Sequence, residues 1–438
     1  MNLKHIVRTT SALTLAAFTL VACEDEPDKY EVAGGTPEVL YVCMPTNKDS
    51  LITSAYTNNR VVLIGNNLRS ITELYFNDQR AILNSSLITD HALFVTVPRT
   101  LPVVPTDKIY MKNKSGVMTE YPFTVDIAAP LIASMDCEHV KPGQELAING
   151  DFFLSYESSP LSVTMPDGTV VTDFTSLSQT RVTFVVPEGC TESGPIKMTS
   201  KYGTTKSTKC NFNDDRGILF DFDNAYDGTN VLGNHGWHSR VITSDATSLS
   251  GNFVQLGDGS ATMSEEGDWD DSNFSFEYWA GSWDATPNFT SGDGIALNNL
   301  VDFSDWQNMA LKFELYIPKA SPWQAGAMQL IFAGTDKVSL SAANNTFFRT
   351  SAEGGYDLNR GIYRPWETTG SFDTGDKWIT VTVPFSEFVY NFDGTKGSTP
   401  LSADEFASFT MFVVGGGVNG TECKPYIKVD NIRAVPYK

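Results

Sequence analysis

Beyond residue 22, no stretch of this 438-residue chain is apolar and long enough to cross a bilayer as a helix, which takes roughly 20 consecutive residues. Basic residues are scarce: 31 Lys and Arg stand against 52 Asp and Glu, a formal net charge of −21. Such a surface repels a nucleic-acid duplex or an anionic membrane over most of its area, so neither is expected as a partner. Of the six cysteines, no two lie at C-x-x-C spacing, which removes the usual zinc and thiol-redox motifs. Setting Cys23 aside leaves Cys43, Cys137, Cys190, Cys210 and Cys423, an odd number with no clear disulfide framework. The chain also lacks G-x-S-x-G, H-E-x-x-H and a phosphate loop. Hydrolysis of a glycan needs a carboxylic acid and a carboxylate held across the scissile bond. The E-x-D-x-x-E strand that supplies them in jelly-roll glucanases is missing.

What is present is strand. Runs such as "RVVLIG", "ALFVTVP", "RVTFVVP", "ALKFELYIP" and "WITVTVP" recur between clusters of Gly, Asn, Asp and Pro, and no segment sustains a helical period. The reading is all-β. Residues 36–127 and 128–214 repeat one order of five strands, "RVVLIGNNL" in the first answering "ELAINGDFF" in the second. Each copy has about ninety residues, the size of an immunoglobulin-like sandwich. Their landmarks are Pro37, Ile64, Gly65, Leu68, Val97 and Pro98, then Pro130, Ile148, Gly150, Phe153, Val186 and Pro187. This pattern resembles IPT/TIG domains, and a spacer role is expected for both copies.

At the other end, Lys4, His5 and Arg8 precede the short apolar run "LTLAAFTLVA", and "LVAC" ends it at Cys23. Residues 1–22 read as a signal peptide. The segment resembles a bacterial lipobox, which implies lipidation of Cys23 and attachment to a membrane by acyl chains alone. The acidic "EDEPD" within residues 23–35 resembles the export tag that carries Bacteroidetes lipoproteins to the outer face of the outer membrane.

Residues 215–438 hold all eight tryptophans and 29 acidic against 14 basic residues. Flat indole faces suit the C–H face of a sugar ring, and neighbouring polar groups suit its hydroxyls. In "NFSFEYWAGSWD" a strand would put Phe274, Phe276 and Tyr278 on one face and Ser275, Glu277 and Trp279 on the other. Trp279 is therefore expected to contact a ligand, together with Trp283 and Asp284 past the Gly-Ser bend. Trp323 and Gln324 lie in the loop "IPKASPWQAGAMQL", and Tyr363, Arg364 and Trp366 in "GIYRPWETTG", both placed where rim loops gather binding residues. Trp306 and Trp378 read as structural. Trp237, between His235 and His238, reads as part of a turn, not of a metal site. Trp269 sits in the acidic "SEEGDWDDS", whose carboxylates, or alternatively Asp221, Asp223 and Asp430, could hold a structural calcium. No other cofactor is expected.

The ends of this region, "GILFDFDN" and "KPYIKVDNIRAVPYK", resemble the first and last strands of carbohydrate-binding jelly rolls. The whole chain resembles the surface glycan-binding lipoproteins of Bacteroidetes polysaccharide-utilisation systems, and residues 215–438 are most similar to their xyloglucan-binding domain. The resemblance implies non-catalytic capture of a plant β-glucan, of xyloglucan or mixed-linkage type, beside a SusC/SusD-like import complex and a surface endo-glycanase. The alternative function is an Ig-like adhesin or assembly scaffold that binds a partner protein.

Overall fold

The computed structural model describes residues 33–280, 295–335 and 358–438. The fold is all-β, and the strands among the described residues pair antiparallel apart from Thr124–Asp126 with Ser54–Tyr56, which pair in parallel. Two compact units divide the chain at Ile127 and Ala128.

The first unit is a sandwich of two four-stranded sheets. One has the spatial order Asn47–Ile52, Glu38–Met44, Arg60–Asn66, Ala92–Thr96, and the other Gln79–Arg80, Ile71–Phe76, Lys108–Asn113, Met118–Pro122. The second unit begins with a sandwich of the same kind, in which Leu131–Met135, Glu145–Asp151 and Arg181–Val185 lie side by side. The repeated glycine now has a physical reason. In both copies the first strand bulges opposite it, pairing Val39 with Gly65 and Ile132 with Gly150. A Cβ at Gly65 would stand 1.9 Å from the Glu38 carbonyl oxygen, and one at Gly150 1.7 Å from that of Leu131. Only glycine permits that approach.

The rest of the second unit is a larger sandwich. Its six-stranded sheet runs Val241–Thr243, Phe253–Leu256, Ile427–Pro436, Met309–Tyr316, Ile379–Pro384, with Ile218–Phe220 also paired to the long Ile427–Pro436 strand. Its four-stranded sheet runs Ser275–Tyr278, Ser408–Val414, Ala327–Ala333, Gly361–Tyr363. Leu311, Phe313, Leu315, Val381, Val383, Ile427 and Val429 of the first sheet meet Phe276, Tyr278, Met328, Leu330, Phe409 and Met411 of the second in one core. Alternation then forces the polar partners of these residues onto the two outer faces.

Both outer faces are nevertheless buried. On the six-stranded sheet, Lys312, Glu314 and Arg433 are closed off by the preceding Ig-like repeat, whose Glu138 pairs with Lys312 and, at 2.7 Å, with Arg433 Nη2. Arg433 Nη1 also reaches Glu314 Oε2 at 2.7 Å, and Thr380 Oγ1 donates to Glu314 Oε1 at 2.8 Å. The Glu138 N–H donates to Thr380 Oγ1 at 2.7 Å, and Leu249 of the large sandwich inserts into the core of the repeat. The repeat and the sandwich are thus joined by a desolvated charge network.

Asp430 is buried beside this network. Its carboxylate accepts from Ser250 Oγ at 3.2 Å and from the Asn431 N–H at 2.8 Å. Burial, aided by the charges of Glu314 and Asp223, pushes its pKa up to about 8. The folded state therefore holds a proton that the unfolded chain releases near its ordinary value of about 3.9, so stability falls as pH rises between the two. Asp430→Asn is expected to flatten that fall. Urea midpoints measured from about pH 5 to about pH 8 check it, and an unchanged slope would count against this origin.

Five cysteines, Cys43, Cys137, Cys190, Cys210 and Cys423, are buried and free. No helix among the described residues is long and apolar enough to cross a membrane.

Candidate functional site

The outer face of the four-stranded sheet carries Ser275, Glu277, Gln329, Ser408 and Thr410, all buried, with Arg360 at its edge. The parity read from the sequence holds: Phe276 packs on Phe220 in the core, while Trp279 shares the opposite face with Glu277. That face is roofed. The segment around His235 runs along the sheet edge, where the His235 N–H donates to the Glu277 carbonyl at 3.1 Å and the Trp279 N–H to that of His235 at 2.6 Å. The Gln329 side chain donates to the Phe392 carbonyl at 2.9 Å, and Arg360 Nη1 to Gln329 Oε1 at 2.9 Å.

Three of the expected sugar-contacting tryptophans are consequently core residues. Trp279 is 2% exposed, its Nε1 donating to Thr410 Oγ1 at 3.0 Å under the roof. Trp323 is 0% exposed because its loop folds back: Trp323 and Phe372 exchange both backbone hydrogen bonds at 2.9 Å, which turns the indole inward to donate to the Ala325 carbonyl. Trp366 is 3% exposed, in a short 3-10 turn, with Nε1 on the Gly326 carbonyl at 2.7 Å. Their faces are not open to a ligand as they stand. Tyr363 is half-buried against Trp323 and Phe313, where burial raises its pKa. Arg364 binds the Gly416 carbonyl at 2.6 Å and Glu367 at 3.1 Å, and Gln324, half-buried, uses its backbone carbonyl to accept from Thr421. Trp283 and Asp284 lie outside the described residues, as does Cys23. Trp323→Ala is expected to cost about 3–5 kcal/mol of stability through the cavity it leaves, read as a lower urea midpoint.

The structure instead exposes Trp237, at 54%, and Trp269, at 50%. One polar bridge connects them. Trp237 packs on the ring of its neighbour His238, whose Nε2 lies 3.7 Å from Asp271 Oδ1 and whose Nδ1 lies 3.3 Å from Glu277 Oε1. Asp271 Oδ2 in turn accepts from Trp269 Nε1 at 3.0 Å. Trp269 rests edge-on upon Phe412 at 4.9 Å and is tilted against Phe392 at 5.9 Å, which support one side of the ring. Its loop is fixed by Gly267, which has φ +72° and whose carbonyl accepts from the Gly415 N–H at 2.7 Å. A Cβ at Gly267 would stand 2.7 Å from the Gly326 Cα.

The acidic loop has occupations other than a cation. Asp270 caps the short helix Asp271–Phe274 by accepting from the Asn273 N–H at 3.1 Å, and Asp271 holds Trp269. Asp221 accepts from the backbone of Asp223 and Asn224, and Asp223 from that of Asn252. Among the described residues no three His, Cys, Asp or Glu side chains are placed to hold a metal ion.

Two exposed indoles around a carboxylate and an imidazole supply the apolar faces and hydrogen-bonding groups that a flat, hydroxylated ligand would need. The family model described as surface glycan-binding protein B xyloglucan binding domain matches residues 212–436, just over half of the chain. The chain belongs to that family. It is similar to the crystal structure of the surface glycan-binding protein PbSGBP-B from Prevotella bryantii, with 42% identity and a TM-score of 0.84 over 93% of this chain and 100% of that one. An IPT/TIG domain-containing protein of Bacteroides ovatus is 24% identical over 199 residues, which take in 42% of this chain but only 40% of that relative's length.

Proposed function

We propose that the chain captures a neutral plant β-glucan, of xyloglucan or mixed-linkage type, at the cell surface and does not cleave it. The observation that carries this reading is the pair Trp237 and Trp269, open to solvent and joined through His238 and Asp271. Each indole offers a face to one sugar ring, and the carboxylate and imidazole between them offer hydrogen bonds to hydroxyls. The surplus of carboxylates in residues 215–438 disfavours polyuronates, which leaves neutral polysaccharides. Shallow aromatic sites give micromolar to millimolar affinity, about 4 to 8 kcal/mol. Lipidation of Cys23 would hold the protein at the outer membrane, beside a SusC/SusD-like importer and an endo-glycanase that shortens the captured chain. Residues 36–127 and 128–214 serve in this reading as Ig-like spacers, and 215–438 as the binding domain.

Native electrophoresis through gels containing xyloglucan, mixed-linkage glucan, mannan or xylan tests the proposal. Retardation by one or both of the first two is expected. Unchanged mobility in all four would overturn it.

A further inference from the structure

A second concavity lies between the Ig-like repeat that begins at Ala128 and the six-stranded sheet. It has a volume of about 600 Å³, within the range of about 300 to 1,000 Å³ usual for small-molecule sites. We propose that this cleft is a second binding site, for a short neutral oligosaccharide; the choice of a sugar rests on the reading above.

The floor is aromatic. Trp378 is partly exposed there beside Tyr316 at 5.5 Å, and buried Phe253 packs against it from behind at 6.0 Å. Its Nε1 donates to the Thr247 carbonyl at 2.6 Å, so the ring is already fixed and binding costs it no rotamer freedom. The walls are polar, and their charges cancel: Asp136, Glu145 and Asp376 against Lys141, Arg181 and Lys377. Arg181 grips Asp136 with both nitrogens, at 2.9 and 2.5 Å, Lys377 lies 3.8 Å from Glu145, and Lys141 Nζ donates to the Ser248 carbonyl at 3.2 Å. In a chain of net charge −21 such a neutral enclosure favours neither an anion nor a cation. It presents hydrogen-bonding groups beside an indole, the combination that grips a polyol. The cleft is also preformed. Glu138, which follows the wall residues Asp136 and Cys137, is held by Lys312 and Arg433 of the sheet, so the two walls keep their spacing when empty.

The test is a titration of the full chain, labelled with ¹⁵N at the indole nitrogens, with cellotetraose. The Trp378 signal is assigned by its absence in Trp378→Phe. We expect it to shift saturably, and expect Lys377→Ala combined with Gln144→Ala, a neutral lining residue of the same cleft, to weaken that response at least fivefold without altering the shifts of Trp237 and Trp269. A Trp378 signal that stays still while Trp237 and Trp269 saturate overturns the cleft alone, as does a Trp378 response unchanged in the double variant. A response at Trp378 without one at Trp237 and Trp269 supports the cleft and overturns the exposed pair. No response at any of the three overturns both.

Discussion

Replacing Trp237 and Trp269 together by alanine is expected to lower affinity for a soluble β-glucan at least a hundredfold. A tryptophan at the centre of a contact commonly contributes about 2 kcal/mol or more. At 1.4 kcal/mol per tenfold, two such losses exceed a hundredfold even when they are not fully additive. Stability should change little, because half of each ring is already in water. Electrophoretic retardation and the urea midpoint, measured on the same variant, separate the two effects. Undiminished retardation in the double variant would remove these residues from the site. His238→Ala should give a smaller loss, because it removes the bridge and leaves both indoles in place.

Glu138→Ala is expected to cost about 3–5 kcal/mol of stability, as much as emptying the Trp323 site. The carboxylate is almost fully buried and lies between Lys312 and Arg433, which are buried as deeply. Alanine strands two cations where water does not reach them, although Glu314 retains part of the hold on Arg433. Glu138→Gln keeps the shape and loses the charge, so most of the cost should remain. Urea denaturation of the full chain measures both variants, and a change under about 1 kcal/mol would mean that water enters this interface.

These two predictions differ in how far the sequence anticipates them. The duplicated strands and the spacing of Gly65 and Gly150 are local signals, and local pairing places both glycines opposite a bulge. Strand parity puts Trp279 on the face of Glu277, and its Nε1 reaches Thr410, the residue paired with Glu277. Trp279 is closed in by His235, more than forty residues away, and by Thr410, more than a hundred, and no periodicity within the strand reports such partners. The same holds for Trp323, turned inward by Phe372. Trp237 and Trp269 carry a local signal of their own. In "GNHGWHS" and "EEGDWDDS" neither has an apolar neighbour within two residues, so nothing nearby draws the ring into a core. Glu138 gave no hint, because its partners lie 174 and 295 residues further along.

Burial raises the pKa of all five free thiols, so each stays protonated and is a poor nucleophile. These five thiols should then resist air and mild alkylating reagents while the protein stays folded. One cysteine introduced at exposed Ser272, next to Asp271, would be the preferred point for attaching a fluorophore. Sugar arrival could then be followed by light alone.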